Sequence, residues 1–135
     1  MHRTTAAITL VSAALLVSCN TPPFHTGETG PDGTLPYFMS VESSEPGASI
    51  ETNHVFAGKT PLTIKVFGDY PGNFHDFGSP EFVLRVSPEN TNEVIQTRIF
   101  RTGRGSTPGD RIPGLVFLDL AQPGTGAIID STPDK

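Results

Sequence analysis

Short runs of alternating apolar and polar residues recur along the chain, and turn-forming residues separate them. In one such run, Ile50 and Thr52 alternate with Ser49 and Glu51. Comparable runs follow at 62–66, 81–86, 95–100 and 115–120. Because successive side chains of a strand point to opposite faces of a sheet, this period of two predicts strands. No window shows a sustained helical period, so the pattern predicts an all-β fold, a small antiparallel β-sandwich of six to seven strands with long loops.

Turn residues divide the stretch 41–67 into three of these strands. The first turn centres on Pro46, Gly47 and Ala48. The fixed φ of Pro46 suits position i+1 of a type I or II turn, and Gly47 can take the positive φ that type II requires at i+2. The residues that break the later alternation are Asn53, His54, Gly58, Thr60 and Pro61. They predict two further turns in this stretch.

This order of residues resembles the PEGA family, whose pattern is V-x-S-x-P-x-G-A, an alternating strand with a D-G or N-G turn, and then G-x-T-P before another strand. The matching residues are Gly47-Ala48, Asn53, Gly58 and Thr60-Pro61. Two positions depart from the pattern, because Glu45-Pro46 reverses the name-giving order and His54 stands where the family usually has glycine. The resemblance covers residues 39–86. It implies a β-module of the adhesion, surface-layer or assembly type and names no ligand.

The amino-terminal 18 residues are predicted to be a lipoprotein signal peptide. Arg3 precedes an apolar stretch, residues 6–17, that is too short to cross a bilayer as a helix, since that takes about 20 residues. Leu16-Val17-Ser18-Cys19 resembles a bacterial lipobox, which implies that Cys19, the only cysteine, carries a thioether-linked diacylglycerol. Two or three acyl chains hold a protein stably on a bilayer. Asn20 favours the outer membrane if two membranes are present.

The remaining chain is predicted to have three parts. Residues 19–36 are rich in proline and glycine and predict a lipidated, flexible tether, whereas residues 37–120 are long enough for one small domain. Residues 121–135 form a polar tail that we expect to be loose. Without Arg3 the chain has eight basic residues against fourteen acidic ones. This balance argues against nucleic acid as a partner.

Two long loops, 68–80 and 102–113, interrupt the strands, and loops of this length often bind something. The first contains Tyr70, Asn73, Phe74, His75 and Phe77, which are residue types that stack on sugars and bind their hydroxyl groups. Alternatively, the phenylalanines cover the core of a small domain that has no disulfide. Asp69, His75 and Asp76 lack the further ligands at fixed spacing that a metal site needs, so no metal is predicted.

The arginines of the mature chain are clustered. They are Arg85, Arg98, Arg101, Arg104 and Arg111. If the strands at 81–86 and 95–100 align, Arg85 and Arg98 are predicted to lie on the outward face, available to carboxylates or phosphates of cell-wall polymers. Pairing with acids across the strands is the alternative. Arg98 and Arg104 therefore join Tyr70, Phe74, His75 and Phe77 as possible ligand contacts.

No nucleophile elbow, glycine-rich phosphate loop or free thiol is present in the sequence, so we predict neither an enzyme nor a cofactor. The sequence predicts an envelope-anchored lipoprotein that acts as a non-catalytic binding or structural module at the cell surface or in the periplasm. The alternatives are a carbohydrate or peptidoglycan-binding module, or an assembly factor for an envelope complex. Its expected partners are the bilayer, through acylated Cys19, and an envelope protein or cell-wall polysaccharide.

Overall fold

The computed structural model of the chain describes residues 27–122 and the backbone of residues 127–129. Nine strands lie in this part of the chain: β1 (Leu35–Ser43), β2 (Ser49–Thr52), β3 (Val55–Lys59), β4 (Leu62–Asp69), β5 (Asn73–Phe74), β6 (Glu81–Ser87), β7 (Gln96–Arg101), β8 (Leu115–Leu118) and β9 (Ala127–Ile129). Three short 3-10 turns, Pro31–Gly33, Gly103–Gly105 and Pro108–Asp110, complete the regular structure.

The strands form two sheets that pack as a sandwich. One sheet has the order β5-β4-β1-β8-β9 and the other β3-β2-β6-β7. The predicted all-β sandwich is thus confirmed. It departs from the prediction in one pairing, since β1 and β8 run parallel, with Val41 beside Val116. Strands distant in sequence can pair in parallel because the intervening chain crosses to the second sheet before returning.

The core lies between the sheets and is filled by alternate residues of each central strand. In β1, Tyr37, Met39 and Val41 are buried. Leu84 and Val86 of β6 are also buried, from the opposite sheet. This period-two burial is what the alternation in the sequence predicts.

The strand count exceeds the prediction because three strands lack an alternating pattern. Strand β3 lies at the edge of its sheet, and Val55 and Phe56 are both exposed, so buried and exposed residues do not alternate along it. Asn53 and His54 precede it with φ of 48° and 67°, the two positive values of a type I′ hairpin turn. Strands β5 and β9 have two and three residues, too few for a period to be recognised.

Strands extend beyond residues 37–120, the bounds predicted for the domain, at both ends. Strand β1 begins at Leu35, and the preceding residues, predicted to be part of a flexible tether, pack on the domain. Glu28 forms an ion pair with Lys65 at 2.6 Å, and Thr34 is buried. At the other end, β9 pairs antiparallel with β8 in a tail predicted to be loose. The three residues of β9 are apolar but too few to show an alternating period.

The turns that resemble the PEGA pattern are bonded to one another. Gly47 has φ of 91°, as predicted, and its N–H donates to the carbonyl oxygen of Thr60 at 2.8 Å. The Thr60 hydroxyl accepts the N–H of Ala48 at 3.1 Å, and the Thr60–Pro61 peptide is cis. Pro46 is exposed on the same turn. These residues hold the β1–β2 and β3–β4 connections together.

Asn53 and Gly58 have structural roles of their own. The Asn53 side-chain oxygen accepts the N–H of Val83 at 2.8 Å, which ties the β2–β3 turn to β6. Gly58 has φ of 150°, and a Cβ there would lie 2.7 Å from Leu62. In the part of the chain that the structure describes, no helix has the length and apolar character needed to cross a bilayer.

Candidate functional site

The two long loops predicted from the sequence meet at one end of the sandwich. The N–H of Ile112 in the second loop donates to the carbonyl oxygen of Gly72 in the first at 2.8 Å. On the other side, the Thr102 N–H donates to the Pro80 carbonyl oxygen at 3.0 Å. The Thr102 hydroxyl donates to the carbonyl oxygen of Ser79 at 2.6 Å. The loops are therefore joined at two places, with a gap between the joins.

That gap is a cleft of about 580 Å³. Its lining residues are Asp69, His75, Asp76, Pro80, Glu81, Arg101, Thr102, Gly103, Arg104 and Gly105. The first loop and the start of β6 contribute the acidic residues, which we call the acidic wall, and the end of β7 with the second loop contributes the arginines, which we call the basic wall. The two walls meet where Glu81 and Arg101 lie side by side in the β6–β7 ladder. A volume of this size accommodates a small ligand or a few residues of a larger one. We call this space the inter-loop cleft.

On the acidic wall, Asp69 organises the first loop. Its carboxylate lies 2.9 Å from His75 Nδ1, and its backbone oxygen accepts the Gly72 N–H at 2.7 Å. His75 Nε2 lies 3.6 Å from the carboxylate of Asp32. The hydrogen bond to Asp69, helped by the negative charge of Asp32, raises the pKa of His75 above its ordinary value. His75 thus bridges the first loop and the segment that precedes β1, and protonation strengthens its attraction to both carboxylates.

On the basic wall, Arg101 ends β7 and Arg104 lies in the 3-10 turn that follows. Asp110 holds this turn, because its carboxylate accepts the N–H of Arg101 at 3.0 Å and the N–H of Thr107 at 2.8 Å. These bonds, the first of them above all, lower the pKa of Asp110. Within the described residues, neither guanidinium forms an ion pair with a carboxylate. Both therefore retain donors for a bound anion.

A second, smaller cavity adjoins the inter-loop cleft. It measures about 200 Å³, and its apolar lining comes from Ile64, Val66, Phe67, Phe74, Phe77 and Phe82. His75 and Glu81 line both spaces, so the two cavities share a wall. We call the smaller space the phenylalanine cavity.

The aromatic residues of the first loop have separate roles. Phe74 is 1% exposed and stacks on Phe82 with ring centroids 4.4 Å apart, which matches the core-covering interpretation. Phe77 is 53% exposed and contacts the His75 ring at 4.5 Å. Tyr70 is 76% exposed and lines neither cavity. The structure therefore does not bring these rings together as one sugar-stacking platform.

The predicted outward position of Arg98 is wrong. Arg98 lies opposite Leu84 in the β6–β7 ladder, and residues directly opposite share a face, so Arg98 is on the inner side. Arg85 lies opposite Thr97 on the outer side and pairs with Glu51 at 3.2 Å. A register one residue away from the assumed one reverses every side chain of a strand.

Part of the site gives little signal in the sequence. Glu81 lines the inter-loop cleft, but its position at the start of a strand carries no functional signal, and Asp76 and Arg101 stand out only as a metal candidate and as part of the arginine cluster. Asp32 was assigned to a tether, although it reaches His75 in the fold. The available signal was the pairing of Glu81 with Arg101, which follows from aligning the two strands in the observed register.

Among the described residues, no group of three or more histidine, cysteine, aspartate or glutamate side chains is placed to hold a metal ion. Cys19 lies outside the described residues. Comparison of the chain with protein-family models, with curated proteins and with solved structures gives no match. The resemblance to the PEGA family therefore depends on the turn residues alone.

The raised pKa of His75 predicts a stability that depends on pH. A group whose pKa is higher in the folded state stabilises the fold below its unfolded pKa, about 6.5, and loses that contribution as pH rises through the folded value. We therefore expect the melting temperature to fall as pH rises above the unfolded value and through the higher folded one. His75→Gln should flatten this decline, and His54→Asn, at an exposed turn, should not. An equal slope in His75→Gln would contradict the assignment.

Proposed function

We propose that this protein is a lipid-anchored, non-catalytic binding module of the bacterial cell envelope, and that its ligand site is the inter-loop cleft. The observation that carries this proposal is the convergence of the two long loops on one cleft, which is lined by acids and by two arginines that form no ion pair with any residue the structure describes. Loops joined by backbone hydrogen bonds keep such a site preorganised, which lowers the entropic cost of binding.

The charges of the cleft support binding over a purely structural role. On the outer face, Arg85 is paired with Glu51 at 3.2 Å. Arg101 and Glu81 are direct neighbours across β6 and β7, yet no ion pair joins them. Both side chains are exposed, so their hydrogen-bonding groups are accessible to a ligand.

Attachment to the membrane is the part of this proposal that depends on Cys19. Replacing Cys19 with serine removes the nucleophile that receives the diacylglycerol, so we expect an unlipidated precursor. Ser18→Ala, which keeps a small residue before the cysteine, should be lipidated normally. The measurement is incorporation of labelled fatty acid together with membrane fractionation. Recovery of labelled, membrane-bound Cys19→Ser protein would refute the anchor.

The binding role is tested by capture from an envelope extract. The full chain, immobilised in detergent, should retain an envelope component that the Arg104→Ala variant captures at least about tenfold less well, since a charged hydrogen bond contributes about 1.5 to 3 kcal/mol. Arg111→Ala is the matched control, because Arg111 is exposed in the same loop but does not line the cleft. Equal capture by all three proteins would exclude the cleft as the site.

An assembly factor is the second candidate, and one observation favours it. In the described part of the chain β3 pairs only with β2, and its Phe56 is 63% exposed. An open strand edge with exposed apolar side chains can accept a strand from a partner. If Phe56→Glu abolishes capture and Arg104→Ala does not, this candidate replaces the first.

A further inference from the structure

We propose that the ligand of the inter-loop cleft is a short peptide with free amino and carboxyl ends and an apolar side chain. The proposal rests on the assignment of the cleft as the ligand site. It follows from three features that lie side by side: an acidic wall, a basic wall and an apolar cavity that opens beside the acids.

The two walls of the cleft suit opposite charges of one ligand. Arg101 and Arg104 offer guanidinium donors, which bind carboxylates in a bidentate manner. Asp76 and Glu81 line the same cleft and are exposed, and their carboxylates can accept the hydrogens of an ammonium group. Glu81 lies directly beside Arg101 in the β6–β7 ladder, so Arg104 is the arginine proposed to bind the carboxylate at the far end of the ligand. A ligand with only negative charge, such as a phosphate polymer, would face these carboxylates and the nearby Asp69.

The phenylalanine cavity gives the ligand its third contact. Because Glu81 lines both spaces, an ammonium group bound at Glu81 places the adjoining side chain at the entrance of the smaller cavity. Phe77 and Phe82 line that cavity, and its volume of about 200 Å³ suits one large apolar side chain. The first residue of a peptide has this arrangement of ammonium group and side chain.

The volume of the inter-loop cleft limits the length of the ligand. A cleft of about 580 Å³ is larger than one amino acid needs and is suited to a dipeptide or tripeptide whose carboxylate reaches the arginine wall. A sugar fits less well, because no aromatic ring of Phe or Tyr lines the larger space.

The experiment is isothermal titration of the full chain in detergent micelles with phenylalanyl-glycine, its N-acetyl derivative and its amide. Each blocked form lacks one charge. We expect acetylation and amidation each to weaken binding by about tenfold or more. Equal affinities for the three compounds, or no binding of any of them at millimolar concentration, would overturn the proposal.

Variants assign each charge of the ligand to its wall. Arg104→Ala should weaken binding of phenylalanyl-glycine about tenfold but leave the amide unchanged, because the amide has no carboxylate to lose. Glu81→Gln should weaken the parent dipeptide and leave the acetylated form unchanged. Arg111→Ala should behave as the parent protein. A uniform loss for every compound would mean that the variants disturb the cleft without contacting the ligand charges, which contradicts the proposal.

The experiments distinguish failure of the peptide assignment from failure of the binding role. If none of the dipeptides binds while Arg104→Ala still loses its envelope partner, the peptide assignment is wrong and the cleft stands as the site. If Arg104→Ala captures the partner as well as the parent protein does, the binding role of the cleft is itself refuted.

Discussion

Replacing Phe74 with alanine is expected to lower the free energy of unfolding by about 3 to 5 kcal/mol. The ring is 1% exposed and lies between Phe82 and Phe100, with centroid distances of 4.4 and 4.9 Å. Truncation leaves a cavity at the junction of the two sheets, and the short β5 that carries Phe74 has few other contacts to hold it. Since a small domain has about 5 to 15 kcal/mol of stability in total, the variant should be close to unfolding.

Phe77→Ala is the matched control, because the same loop carries the ring with 53% exposure. Chemical denaturation should give a change of at most about 1 kcal/mol for this variant. Equal losses for the two substitutions would show that the loop contributes to stability as a unit. That result would contradict the division between a core ring and a cavity-lining ring.

Replacing Gly47 with valine is expected to cost about 1 to 3 kcal/mol. Gly47 has φ of 91°, a conformation that a β-branched residue adopts only with strain. A Cβ at this position would meet nothing closer than Glu89 at 3.7 Å, so the cost comes from the backbone and not from a clash. The turn also donates to Thr60, and strain there would loosen the joined connections.

Gly109→Val serves as the control for the loss of a glycine. Gly109 is exposed, its φ lies outside the left-handed range and its surroundings are open. Thermal melting should show a clear decrease for Gly47→Val and little change for Gly109→Val. An unchanged midpoint for Gly47→Val would mean that the turn relaxes to another conformation in solution.

The residues that sequence reasoning located well are those whose chemistry is local. Proline and glycine restrict or extend φ by themselves, so Pro46 and Gly47 reveal their turn without knowledge of the fold. The alternation around Ile50 likewise depends only on the pleat of a strand. The two long loops were visible for the same reason, as interruptions between alternating runs.

The remainder depends on contacts between distant parts of the chain. Asp32 reaches His75 only because the segment before β1 folds back on the domain, and no local pattern records that contact. The face that Arg98 occupies depends on the register between β6 and β7, which the buried Phe100 decides. The cleft itself combines Asp76 and Arg104 from two loops that the sequence presents separately.

The most direct test of the binding site is hydrogen–deuterium exchange of the full chain, with and without the envelope fraction that it captures. Because the ligand is proposed to lie between the two loops, residues 69–81 and 101–105 should become protected together. Arg104→Ala should lose protection in both segments. Protection confined to the outer face around Phe56 and Ile99, with both loops exchanging as in the isolated protein, would contradict the account.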